Sequence, residues 1–205
     1  AGADVGNSDN AFFSTPPDGN NGVCAMFIWS YPQPHRDGAL DSEIVIHELT
    51  HGLSNRLLGG GAGISMLQPG GMGEGWSDFY SLALLSETAD DPRASYAEGG
   101  YVTYQLAGLT ENYYYGVRRY PYSTDLRINP LTLKDIDPTK ASAHPGVPTS
   151  PIFGGGAANE VHNMGEVWCV TLWEVRANIL DEMGWDLGNK LVIQLVTDGL
   201  NLAPP

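Results

Sequence analysis

Along residues 43–58, EIVIHELTHGLSNRLL, apolar Ile44, Ile46, Leu49, Leu53 and Leu57 recur mostly at three- and four-residue steps. That spacing predicts a largely buried helix. Asp41-Ser42 supplies an N-cap before it, and Gly59-Gly60-Gly61 a stop. A Gly-rich loop over 59–73 leads to a second predicted helix at 74–87, EGWSDFYSLALLSE. A third runs from Val161 to Met183 and stops at Gly184; a fourth covers Asn189 to Asp198, before Gly199. The apolar run Val23–Trp29 reads as one strand, and DNAFF at 9–13 as another short one. Residues 88–158 are irregular and rich in Tyr, with a pattern compatible with a helix near 100–108. These elements predict an α+β fold, predominantly α-helical. It divides into an extended region at 1–40, a helix pair at 41–87, irregular chain at 88–158 and C-terminal helices at 159–205.

Composition narrows the function. The 205 residues are 42% hydrophobic, enough for a core. The net charge of −14 excludes a nucleic-acid binder, which needs clustered Lys and Arg, and disfavours anionic membranes. The 26 Gly and 14 Pro predict long loops. No apolar run approaches the ~18 residues that span a bilayer. The opening AGADVGNSDN has no Met, basic region or apolar region, so it is not a signal peptide. Cys24 and Cys169 read as two buried thiols, or as one disulfide if the protein is secreted.

Within the first helix, His47-Glu48-Leu49-Thr50-His51 is H-E-x-x-H. Residues i and i+4 share a helix face, so both imidazoles can bind one zinc ion. Glu48 flanks that face and can reach a water as general base. Chance produces this motif in roughly one such chain in two hundred. The plainer reading is a buried helix whose histidines are satisfied by hydrogen bonds.

Two further residues weigh against that reading. A catalytic zinc takes three protein ligands. Glu74 lies at the predicted start of the second helix, where the loop lets it meet the first; Asp78 shares its face, placed to accept a ligand histidine's ring N–H. Glu74 could otherwise be a helix-start residue favoured by the dipole. His162, in ANEVHNMGEVW, can donate to the oxyanion formed in peptide hydrolysis, with Glu160 as its carboxylate companion. His35 and His144 sit in Pro-flanked loops and read as surface residues.

HELTHGLSNRL together with GGMGEGWSDF resembles the fungalysins, secreted fungal zinc metallopeptidases related to thermolysin. DNAFFSTPPDG, MFIW, RDGALDSEIVIHE, YPYSTD, NPLT and EVHNMGEVW follow in the family's order. The resemblance implies a thermolysin-like zincin catalytic region. It implies one Zn2+ held by His47, His51 and Glu74, with Glu48 and His162 catalytic and Asp78 behind a ligand. Asn10 and Ala11 match the edge strand that pairs with substrate, and Arg118, or else Arg119, the arginine that holds a substrate carbonyl. The family's Tyr before the third ligand is absent from residues 62–73, which makes Tyr122 a substitute.

The implied function is secreted endopeptidase action on extracellular proteins, against the alternative of a non-catalytic or inactive truncated zinc-binding domain. Partners would be peptide substrates and an inhibitory propeptide, with no nucleic acid or membrane, on a monomer; calcium is left open. The chain reads as a catalytic fragment of a secreted precursor, lacking the family's preceding β-rich part and its C-terminal end.

Overall fold

The computed structural model describes residues 7–60, 63–64, 66–104, 112–144 and 157–204. It is α+β and mainly helical, with only short antiparallel strands near the N-terminus. Strand β1 (Ala11–Ser14) pairs with β2 (Val23–Met26), placing Ala11 opposite Met26 and Phe13 opposite Cys24. The run expected to be one strand is split at Phe27. Its second part, β3 (Ile28–Trp29), pairs instead with β4 (Arg36–Asp37). The Phe27 carbonyl accepts the Gly38 N–H, a bond made just beyond β4.

Helix α1 spans Ser42–Leu57, as the pattern predicts. Asp41 caps it, accepting from the N–H groups of Glu43 (3.1 Å) and Ile44 (3.4 Å). Its other carboxylate oxygen takes the Val102 N–H at 3.0 Å, and Glu43 takes the Gly100 N–H at 3.1 Å. The short helix α3 (Gly100–Thr103) is thereby docked on the start of α1. It ends at Thr103, five residues short of the limit expected from the sequence; the rest of that expected helix falls in residues 105–111, which lie outside the described chain. A one-turn helix α4 follows at Asn112–Tyr115.

Helix α2 spans Leu67–Leu85, so it begins seven residues before its predicted start. Pro69 is tolerated because it falls in the first turn, where the N–H groups have no intrahelical acceptor anyway. The glycines that looked like a loop are a packing surface for α5 (Val161–Met183). A Cβ on Gly75 would lie 2.6 Å from the Gly165 carbonyl oxygen and 2.8 Å from the Trp168 Cβ. One on Gly165 would lie 2.5 Å from the Glu74 Cβ. Only glycine lets these two backbones approach so closely.

Helix α5 has the predicted bounds, and Gly184 ends it with φ +74°. Helix α6 (Trp185–Leu202) starts immediately afterwards and runs through Gly199, longer at both ends than expected. The main core lies among α1, α2, α5 and α6, with Trp76, Phe79, Leu82, Cys169, Trp173 and Leu200 at its centre. A second cluster, Trp29, Ile44, Val102 and Val117, binds β3 to α1. Both thiols are free; Cys169 is buried, but Cys24 is exposed on the two-stranded ribbon, which corrects the expectation of two buried thiols. Among the described residues, no helix is long and apolar enough to cross a membrane.

Replacing Gly75 by Ala is expected to cost about 1–3 kcal/mol of unfolding free energy through overpacking. Gly199→Ala, with nothing within 4 Å of the added carbon, should be neutral or stabilising by up to about 1 kcal/mol. Denaturant midpoints of the two variants check the order, and a reversed order would contradict the packing account.

Candidate metal centre

His47 and His51 stand one turn apart on α1, with ring centroids 4.7 Å apart and edge-to-face. Their Nε2 atoms approach to 3.0 Å. Glu74 enters from the third turn of α2 rather than its first, placing Oε2 3.3 Å from His47 Nε2 and Oε1 3.5 Å from His51 Nε2. Ligand atoms of all three lie within 4.8 Å of one another.

The orientation of His47 is set from behind. Its Nδ1 bonds Asp78 Oδ1 at 2.7 Å, which turns Nε2 to the side where His51 and Glu74 converge. Asp78 is fully buried. Arg118 donates to it twice, Nε to Oδ2 and Nη2 to Oδ1, each at 2.7 Å, and the Tyr122 hydroxyl donates to Oδ2. Burial alone would raise the Asp78 pKa, but Arg118 and His47 hold it far below the carboxylate range.

Glu74 shows the same balance. Burial opposes its charge, yet the surrounding imidazoles of His47, His51 and His162 keep its pKa well below normal. Its Oε2 is buried and accepts no hydrogen bond. Such an atom costs free energy unless something else satisfies it. Two imidazole nitrogens and a carboxylate form a known zinc donor set, so the residues present fit a metal ion. Burial also depresses the His51 pKa, to about 4, which keeps the imidazole unprotonated as a ligand requires.

Glu48 lies beside the cluster in a cleft of about 300 Å³. Burial raises its pKa above the ordinary value; the nearby His47 and the Phe13 backbone N–H pull it back part of the way. Asn10 and Ala11 also line that cleft, and Arg118 and His162 add to its polar lining. A larger cleft of about 500 Å³ lies at the start of α1, between Leu40 and Tyr101. The converging nitrogens and carboxylate sit in the smaller one, and chemistry outweighs volume in choosing between them.

His162 occupies the first turn of α5. Glu160 is that helix's N-cap, accepting from the His162 and Asn163 backbones at 3.0 and 3.3 Å. Its other oxygen accepts the His162 Nδ1–H at 2.6 Å, and the His162 Nε2 is held 3.5 Å from Glu74 Oε2. One carboxylate thus caps the helix and aims the ring.

The structure gathers His47, His51, Glu74, Glu48, His162, Asn10, Ala11 and Arg118 around one cleft, with Asp78 behind it. Tyr122 is fully buried behind Asp78, to whose carboxylate it donates, and it is not among the residues that line the cleft. Arg119 is paired with Glu166, Nε to Oε2 at 2.6 Å. His35 is exposed, while His144 is partly buried beside Asp135. Nothing in the sequence marks Glu98, which is fully buried 3.9 Å from His47 Nδ1 and accepts the Ser81 hydroxyl. It lies in chain without periodicity, so no pattern could have placed it.

The family described as Fungalysin metallopeptidase (M36) matches residues 2–205. Extracellular metalloproteinase 2 of Trichophyton rubrum is 38% identical over 98% of this chain, and that of Arthroderma gypseum 40% identical over 98%. Extracellular metalloproteinase 1 of Trichophyton equinum is 38% identical over 98%. The chain spans 30%, 28% and 31% of these relatives' lengths, respectively.

Asp78→Asn removes the charge behind His47 while keeping the shape. It is expected to weaken zinc binding by about 10–100-fold, as competition with a chromogenic chelator would show. Unchanged affinity would contradict the role given to Asp78.

Proposed function

The chain belongs to the fungalysin metallopeptidase family, and from that premise we propose that it is the catalytic region of a secreted zinc endopeptidase cutting internal peptide bonds of extracellular proteins. The observation that carries this reading is the convergence of His47, His51 and Glu74 beside Glu48 in one cleft. His47, His51 and Glu74 are the proposed zinc ligands. Zinc held there would supply Lewis-acid polarisation of the scissile carbonyl and acidify water.

Glu48 takes the proton of the attacking water and passes it to the departing amine nitrogen. Its raised pKa makes the carboxylate a better base, able to take the water proton and keep it until the amine departs. His162, aimed by Glu160, directs its Nε2 into the same cleft and donates to the developing oxyanion. Asn10 immediately precedes β1 and Ala11 begins it, and the pairing partner β2 covers one edge of that strand. An extended peptide aligned along the cleft side can be gripped through main-chain hydrogen bonds with little sequence demand. Arg118, which lines the cleft and is braced by Asp78, would donate to a substrate carbonyl. Protein substrates, an inhibitory propeptide and a monomeric state belong to the same reading.

Glu48→Gln should lower kcat by at least about 10²-fold while bound zinc stays equimolar, measured by casein hydrolysis and metal analysis of the complete protein. Chelation should abolish wild-type hydrolysis and zinc restore it. A wild-type protein that binds zinc and cuts nothing would favour a non-catalytic binding domain instead. His162→Ala should lower kcat by about 10²–10³-fold with KM little changed, as loss of an oxyanion donor does.

A further inference from the structure

Asp9 stands immediately before the segment that faces the cleft. Its backbone has φ +56°, and it is the one non-glycine residue with positive φ among those described. That region is unfavourable for L-residues, and Asp tolerates it better than most. The backbone is held there by bonds to β3 and to the two residues that follow it. The Asp9 N–H donates to the Ile28 carbonyl at 2.9 Å. Its Oδ1 accepts the N–H groups of Ser30 (2.7 Å) and Tyr31 (3.2 Å), and its Oδ2 accepts the Ser30 hydroxyl at 2.7 Å. Burial opposes the Asp9 charge, but these donors hold its pKa below the ordinary value.

The residues it grips are themselves fixed to the helix that carries the two histidines. Ser30 follows Trp29, which is buried against Ile44 in the second cluster. Ile44 lies three residues before His47 on α1. At the other end of the segment, the Phe13 ring packs on Gly52 of the same helix, where an added Cβ would lie 2.6 Å from the ring. The Phe13 N–H faces the Glu48 carboxylate. Residues 10–12 are therefore stretched between two anchors, both referenced to α1.

We propose that Asp9 is a positioning residue for substrate: its left-handed turn and its clamp on Ser30 and Tyr31 set the distance between the peptide-pairing segment, Asn10–Phe13, and Glu48. Asp9 touches neither substrate nor the reacting atoms. It acts through the placement of main-chain groups that pair with a peptide backbone, so its influence grows with the length of peptide paired. The inference rests on the peptidase reading above.

The test compares two variants with wild type, each in the complete zinc-loaded protein. Asp9→Gly accepts the left-handed backbone without strain and removes the side-chain clamp, which separates the clamp from the turn. Asp9→Asn tolerates the turn and keeps one oxygen acceptor. Each is assayed on a hexapeptide spanning both sides of the cut, and on a blocked dipeptide too short to pair along the strand. Losing charge-assisted hydrogen bonds should raise KM for the hexapeptide about tenfold in Asp9→Gly, with kcat within about twofold. The dipeptide constants should not change, and Asp9→Asn should recover most of the hexapeptide KM.

Equal loss on both substrates, carried by kcat, would show a merely structural residue and overturn the proposal. So would a wild-type hexapeptide KM in Asp9→Gly. Wild-type protein that hydrolyses neither peptide would overturn the peptidase reading, and this inference with it.

Discussion

The structure depends on one buried carboxylate. Asp78 accepts from His47, twice from Arg118, and from Tyr122, and it does so with no exposure to solvent. Those donors come from α1 and from the chain around residues 116–122, while Asp78 itself belongs to α2. An ionised carboxylate without such partners would be strongly disfavoured in the interior. Its four donors make the cost bearable and tie three parts of the chain to one point. The consequence for chemistry is direct: the His47 ring has one orientation, and its remaining nitrogen is directed towards His51 and Glu74.

A second constraint works through absence of side chains. Gly71, Gly75 and Gly165 let α2 and α5 approach until an added carbon on any of them would collide with the opposite helix. That close approach sets His162, at the start of α5, beside Glu74 in the third turn of α2. The glycine content, which reads as loop in isolation, therefore brings the proposed oxyanion donor to the proposed metal ligands. Glu160 adds precision, because capping α5 and holding the His162 ring are done by the same carboxylate.

Much of this was legible in the sequence, for identifiable reasons. The bounds of α1 and α5 follow from an N-cap Asp41 and a terminating Gly184, both local signals. His47 and His51 pair through helical periodicity alone. Glu74 and Asp78 follow from that motif, from the need for a third ligand and from their four-residue spacing, before any family resemblance. The start of α2 is not legible in the sequence, because Pro and Gly signal a break locally, whereas packing on α5 makes them helical. The strand over 23–29 breaks because its two halves pair with different neighbours, a tertiary choice with no local marker. Tyr122 and Glu98 lie in aperiodic chain, so the direction each side chain takes depends on contacts distant in sequence. The same holds for the turn at Asp9, whose partners are about twenty residues away.

The most direct test is the metal's coordination sphere in the zinc-loaded complete protein, read by anomalous diffraction at the zinc edge. The account predicts His47 Nε2, His51 Nε2 and a Glu74 oxygen as the three protein ligands, with zinc–nitrogen distances of about 2.0–2.1 Å and Glu48 outside the sphere. Zinc bound through Glu48, or a sphere lacking Glu74, would contradict it.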